Sequence, residues 1–217
     1  LAKLNTAVDT YGPDLRKTIA AETWKTVTDA EGNIWAIPRQ NDFRPAPTLT
    51  VRGDWLKKLG LAMPTTIAEF ENYMRKAMAA DFDGNGRPDT VGIIGRRTGF
   101  VDFNSTVLWW YTETNGEPTA TNYNNYLDAQ GRPTPNILHP GYKDYLGKLR
   151  DWYQEGLLYK EQYTVTQDQA VDQVIANKVA SYSGWHSVVL NGWEPLLKTV
   201  PDATYDITFI KTVTGKP

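Results

Sequence analysis

Asp81, Asp83 and Asn85 place oxygen-bearing side chains at every second residue of Asp81-Phe82-Asp83-Gly84-Asn85-Gly86-Arg87-Pro88-Asp89, and Asp89 adds a fourth. A hard divalent cation needs six to eight oxygens around one point, and this spacing wraps them. Gly86 stands at the sixth position, where the chain must turn sharply, and the Arg87 carbonyl occupies the seventh. The run matches the first nine positions of the calcium loop D-x-[DN]-x-[DN]-G. The twelfth position is Gly92 rather than a bidentate Glu, so the pattern describes an oxygen cage and not a helix–loop–helix switch. Thr90 or water would complete the shell. A closed cage leaves no position for a substrate, so the expected cofactor is one structural Ca2+. The same residue types also suit a metal-free turn.

Other chemistry is sparse. The chain has 217 residues, two of them His and none Cys. The absence of Cys excludes disulfides, thiolate metal sites and cysteine nucleophiles. His139 and His186 lie far apart in sequence, and no H-E-x-x-H, G-x-S-x-G or phosphate-binding glycine loop occurs. A formal net charge of -2 gives no basic excess for a nucleic acid or an anionic membrane. No apolar run approaches the roughly 18 residues needed to span a bilayer. Asp102, Asp151 and Glu155 are loose candidates for the paired carboxylates of a glycosidase, although surface charge is the better reading of them. Aromatic residues are abundant, with eight Trp and twelve Tyr.

The elements that would position these residues alternate. Helical pieces break at Gly12-Pro13, and a hairpin turning at 29–33 is expected, its second strand carrying Ile34, Trp35 and Ile37. Strands are predicted at 47–52, 91–94, 179–184 and 206–210. Helices are predicted at 54–60, 104–114, 140–156, 167–177 and 187–198, and another after Thr66, whose pairing with Glu69 reads as a capping box. Alternating helices and strands predict an α/β fold with a mostly parallel sheet flanked by helices.

The segments 24–39 (WKTVTDAEGNIWAIPR), 49–74 (LTVRGDWLKKLGLAMPTTIAEFENYM), DFDGNGRPD, 149–163 (LRDWYQEGLLYKEQY) and 177–185 (NKVASYSGW) resemble the extracellular solute-binding proteins, family 1, of carbohydrate ABC importers. The likeness is to the large lipoprotein type of Paenibacillus-like bacteria. It implies a periplasmic-binding-protein-like fold of type II, with two α/β lobes joined by crossing strands and sugar held between them. Under this resemblance, residues 1–38 leave the first lobe, 39–212 form the second, and 213–217 begin the return crossover. The implied protein is a monomeric, non-enzymatic cell-surface or periplasmic lipoprotein. Its implied partners are a mono- or oligosaccharide and the permease subunits, and any membrane contact is through a lipid anchor outside these residues.

The resemblance also implies a ligand wall. Trp185 and His186 follow a strand end, where open α/β sheets bind ligands, and an indole can lie against the apolar face of a pyranose. Phe103 and Asn104 precede the aromatic helix near the implied cleft. Trp109 and Trp110 are neighbours about 100° apart on that helix, so they cannot share a direction. Arg39, Asn41 and Arg44 follow the implied first crossing strand, and the two Arg residues there would favour an acidic sugar. For each of these the competing reading is core or solvated loop. A secreted glycoside hydrolase and a polysaccharide-binding module are the alternative functions.

Overall fold

The computed structural model describes residues 2–39, 47–96, 101–112 and 125–215. The chain divides into two compact units, Leu1–Pro45 and Ala46–Pro217.

The first unit holds α1 (Asn5–Tyr11), α2 (Pro13–Thr18) and α3 (Ala21–Lys25). The break at Gly12-Pro13 falls where predicted, because Pro suits the first turn of a new helix. Val8, Ile19, Trp24 and Ile34 form its small core. The expected hairpin is reduced to one bridge, Thr28 with Ile34, and Ile37 is exposed. Backbone bonds from Asp29 N to the Asn33 carbonyl and from Trp35 N to the Val27 carbonyl flank the bridge, and a side chain reinforces the turn. The Asp29 carboxylate accepts from the backbone N–H groups of Glu31 and Asn33, from Asn33 Nδ2 and from Trp35 Nε1. These donors, the Asn33 amide foremost, pull its carboxyl down to about 2.

The second unit carries β1 (Pro47–Arg52), α4 (Gly53–Lys58), α5 (Ile67–Ala79), β2 (Val91–Gly95), α6 (Val101–Thr106) and α7 (Trp109–Thr112). A small hairpin of β3 (Asn125–Leu127) and β4 (Pro133–Pro135) follows, then α8 (Tyr142–Glu155), α9 (Gln167–Ile175), β5 (Val179–Trp185), α10 (His186–Leu196) and β6 (Tyr205–Thr208). The α/β class is as predicted, with a sheet flanked by helices. Its order is β2-β5-β1-β6. The expectation of a mostly parallel sheet is corrected, since only β2 with β5 is parallel, whereas β1 runs antiparallel to both β5 and β6. No local residue pattern encodes that direction. It is set by long-range pairings such as Leu49 with Ser183.

Every residue of β2 is buried, as are the first six of β5, which requires cover on both faces of the sheet. One apolar cluster joins Leu49, Val51 and Ile93 to α4, α5 and α8, and the other joins Val179 and Tyr182 to α9 and α10. Helix α5 begins at the predicted capping box, where Thr66 Oγ1 accepts from Glu69 N at 3.2 Å and the Glu69 carboxylate accepts from Thr66 N at 3.1 Å. Its buried residues Phe70, Tyr73, Met74 and Ala77 recur at helical spacing. Helix α8 buries Tyr145, Leu149 and Trp152 and stops at Gly156, whose φ of 76° is the left-handed stop that glycine adopts without strain. The predicted aromatic helix over 104–114 is instead two short pieces, α6 and α7.

Candidate functional site

The acidic loop follows α5 and is docked by its aromatic residue. Phe82 stacks on Trp55 with ring centroids 4.6 Å apart and planes 24° from parallel. Asp81, Gly84 and Gly86 adopt positive φ (45°, 69° and 71°), which curls the backbone inward. The Asp81 carboxylate accepts from Asn85 N at 3.2 Å and Gly86 N at 2.9 Å. Gly86 therefore turns the chain at the sixth position, as the spacing predicted. The Asn85 amide nitrogen donates to Asp83 Oδ2 at 2.6 Å and to both Asp89 oxygens at 3.2 and 3.3 Å. Three carboxylate oxygens thus converge on one point.

The electrostatics of the loop are uneven. Burial, then the neighbouring Asp81 and Asp89 carboxylates, push the Asp83 carboxyl above its ordinary value, and its buried Oδ1 has no hydrogen-bond partner. The Gly86 N–H holds Asp81 below the usual range, and the Lys178 ammonium does the same for Asp89. Crowded acids, one of them short of a positive neighbour, are the donor set a divalent cation relieves. Thr90 is buried and Arg87 exposed. Among the described residues, no three His, Cys, Asp or Glu side chains are gathered as a ready-made metal cage.

The second group lies at one end of the main sheet. The parallel strands β2 and β5 finish there, and their register places Gly95 beside Ser183. Gly184 has φ 151°, a conformation that side-chain-bearing residues rarely adopt, and it leads directly to Trp185. Trp185 is half-buried, packs against the α9–α10 side of the core, and has the Arg96 guanidinium 5.6 Å from its ring centroid. Half-buried His186 opens α10, and its Nδ1 has no hydrogen-bond partner. Sequence reasoning missed Arg96, which reads locally as the residue after a strand and acquires meaning only through the β2–β5 pairing.

The remaining candidates separate. Phe103 is fully buried with its ring against Gly95, and Trp110 is 3% exposed. Trp110 makes edge-to-face contacts with Phe70 (5.9 Å) and Trp152 (6.0 Å). Both are core residues within this unit, which corrects their assignment to a ligand wall. Trp109 is half-buried against the same cluster. Asn104 is half-buried and accepts a 2.8 Å hydrogen bond from the Tyr145 hydroxyl. Arg39 is exposed on the first unit, and Asn41 and Arg44 lie outside the described residues.

No family model matches the chain. It is 28% identical over 157 residues to lipoprotein LipO of Bacillus subtilis, a match covering 70% of this chain and 29% of LipO. It is 27% identical over 163 residues to the polygalacturonan/rhamnogalacturonan-binding protein YtcQ of the same organism, covering 74% of this chain and 30% of YtcQ. The matches thus span less than a third of the length of these curated relatives. Among solved structures, the alginate-binding protein AlgQ2 without calcium ion superposes with a TM-score of 0.68 at 24% identity, over 95% of this chain and 41% of AlgQ2. An EF-hand mutant of the Streptococcus pneumoniae ABC-transporter substrate-binding protein FusA, in complex with fructo-nystose, gives 0.70 at 19%, over 100% of this chain and 44% of FusA. By sequence this chain is a relative of lipoprotein LipO and of YtcQ from Bacillus subtilis, and its fold is that of solute-binding proteins such as AlgQ2 and FusA.

Proposed function

We propose that this chain is part of a non-catalytic, cell-surface lipoprotein that captures a carbohydrate and hands it to an ABC importer. Residues 39–212 make one wall of a two-lobed clamp, 1–38 enter it from the other lobe, and 213–217 begin the return. The observation that carries the reading is the half-exposed Trp185 at the carboxyl end of β5, beside Arg96 and the start of α10. A half-exposed indole beside a guanidinium and a helix start offers an apolar patch for sugar C–H groups and polar groups for hydroxyls. Trp109, Asn104 and His186 supply further polar and aromatic surface on the same unit. Ligand binding favours the closed clamp, and the importer reads that form.

The test is titration with neutral oligosaccharides such as kestose and stachyose, and with oligogalacturonate and alginate oligosaccharides, followed by tryptophan fluorescence and product analysis. Binding is expected with the sugar recovered intact. Trp185→Ala is expected to weaken it about tenfold or more, equivalent to about 1.4 kcal/mol. Hydrolysis of any of these sugars, lost on changing one carboxylate, would favour a glycosidase instead.

The acidic loop holds one calcium ion in a structural role. Asp81, Asp83, Asn85 and Asp89 supply side-chain oxygens, and Arg87 its carbonyl, with Thr90 or water completing the shell. Asn85 would ligate through Oδ1, so its amide must rotate. The ion neutralises the crowded carboxylates. Calcium at a hundred times its Kd adds about 2.7 kcal/mol, which raises the melting temperature by about 5–10 °C over that in chelator. An unchanged melting temperature would remove the calcium reading.

A further inference from the structure

Two consecutive residues hold the acidic loop at its two ends. Asn177 Nδ2 donates to the Phe82 carbonyl at 3.0 Å, and the Lys178 ammonium pairs with Asp89. Asn177 is one of two described non-glycine residues with positive φ, at 59°, the other being Asp81 within the loop. That left-handed conformation, which Asn tolerates better than most residues, aims its amide at the loop. The opposite end of the same amide, Oδ1, accepts from Arg52 Nη1. Arg52 is fully buried and forms a bidentate pair with Asp54, at 2.8 Å on each arm. One side chain therefore touches both the loop backbone and the buried ion pair.

We propose that Asn177 is a positioning residue for cation binding: it fixes the Phe82 carbonyl so that Asp81 and Asp83 converge, and it transmits loop loading to the Arg52–Asp54 pair. The inference rests on the calcium reading of the loop. An amide locked by a buried guanidinium cannot rotate without breaking that bond, so the loop start is held in place before any cation arrives. By linkage, the factor by which this contact tightens cation binding equals the factor by which the cation tightens the contact.

The experiment measures melting of the full chain in calcium and in chelator, with calcium affinity by titration, for the parent, Asn177→Gly and Thr66→Ala. Glycine keeps the left-handed backbone without strain and removes both hydrogen bonds. Thr66→Ala removes the α5 cap, distant from the loop, and is the control for ordinary destabilisation. The expected result is that Asn177→Gly raises the calcium Kd about tenfold and shrinks the calcium-induced shift. Thr66→Ala lowers both melting temperatures equally and leaves the Kd unchanged. An unaltered Kd in Asn177→Gly overturns the inference while leaving the calcium site standing. No calcium binding by the parent overturns both. Should Asn177→Gly not fold, hydrogen exchange on the parent decides. Calcium is expected to slow exchange at the Lys178-bonded Val91 amide and at residues 177–180 as well as in the loop, and protection confined to residues 81–89 overturns the inference.

Discussion

Asp54→Ala is expected to lower the unfolding free energy of the second unit by about 3–5 kcal/mol, measured by urea denaturation. The reason is what it leaves behind. Arg52 has no solvent exposure, and removing its carboxylate partner strands a charge that cannot reach water. Burial, the largest influence, would make the guanidinium less basic, but the Asp54 carboxylate and the Tyr205 phenol together outweigh it and hold Arg52 above its ordinary value. Asp54 also accepts from Thr204 N at 3.2 Å, so the backbone before β6 loses an acceptor too. The double change Arg52→Met with Asp54→Leu is expected to recover most of the loss, because it removes both desolvation costs together. A loss below about 1 kcal/mol in Asp54→Ala would mean that Asn177 and the Trp55 ring, 4.4 Å from the guanidinium, suffice to hold the charge.

Trp152→Ala is expected to cost about 3–5 kcal/mol by the same measurement. Trp152 is fully buried in the last turn of α8, and Phe70, Trp110 and Trp152 meet edge-to-face with centroids 5.9–6.0 Å apart. Deleting the indole leaves a cavity bounded by rigid rings, which relax poorly into it. Its Nε1 also donates to Glu71 at 2.8 Å, although Lys148 continues to hold that carboxylate. Trp152→Phe keeps one aromatic edge in the cluster and is expected to lose less than half as much. Equal losses in the two variants would show that the hydrogen bond to Glu71 outweighs the ring packing.

Local chemistry made several elements legible. Thr66 with Glu69 marked the start of α5, and the spacing of Tyr145, Leu149 and Trp152 marked the buried face of α8. Gly86 marked the turn of the acidic loop. The equivalent box at Thr166 and Gln169, which opens α9, was equally readable and was missed. What failed depended on residues far away in the chain. The direction of β1 follows from its neighbours at 179–185 and 205–208, so nothing in Pro47–Arg52 announces it. Phe103 and Trp110 read as core or ligand wall alike, because aromatic side chains serve both. Their destination was decided by Gly95, Phe70 and Trp152. Arg52 and Asp54 read as an ordinary strand end and helix start. Only the close approach of Asn177, Tyr205 and Thr204 turns them into a sealed ion pair.

The place of β5 in the sheet sets the order in which this unit can be made. It lies between β1 and β2, which are not neighbours of each other, and it is synthesised about 80 residues after the second of them. As the chain leaves the ribosome, β1 and β2 therefore have no common partner; apart from Ile93, which bonds to Leu157 and Tyr159, the ladder they form with β5 waits until residues 179–185 emerge. Sheet closure is late, coming with β5 and completed by β6, and it must shut long loops. Such closure is slow, and until it happens two apolar ribbons stand open to other nascent chains.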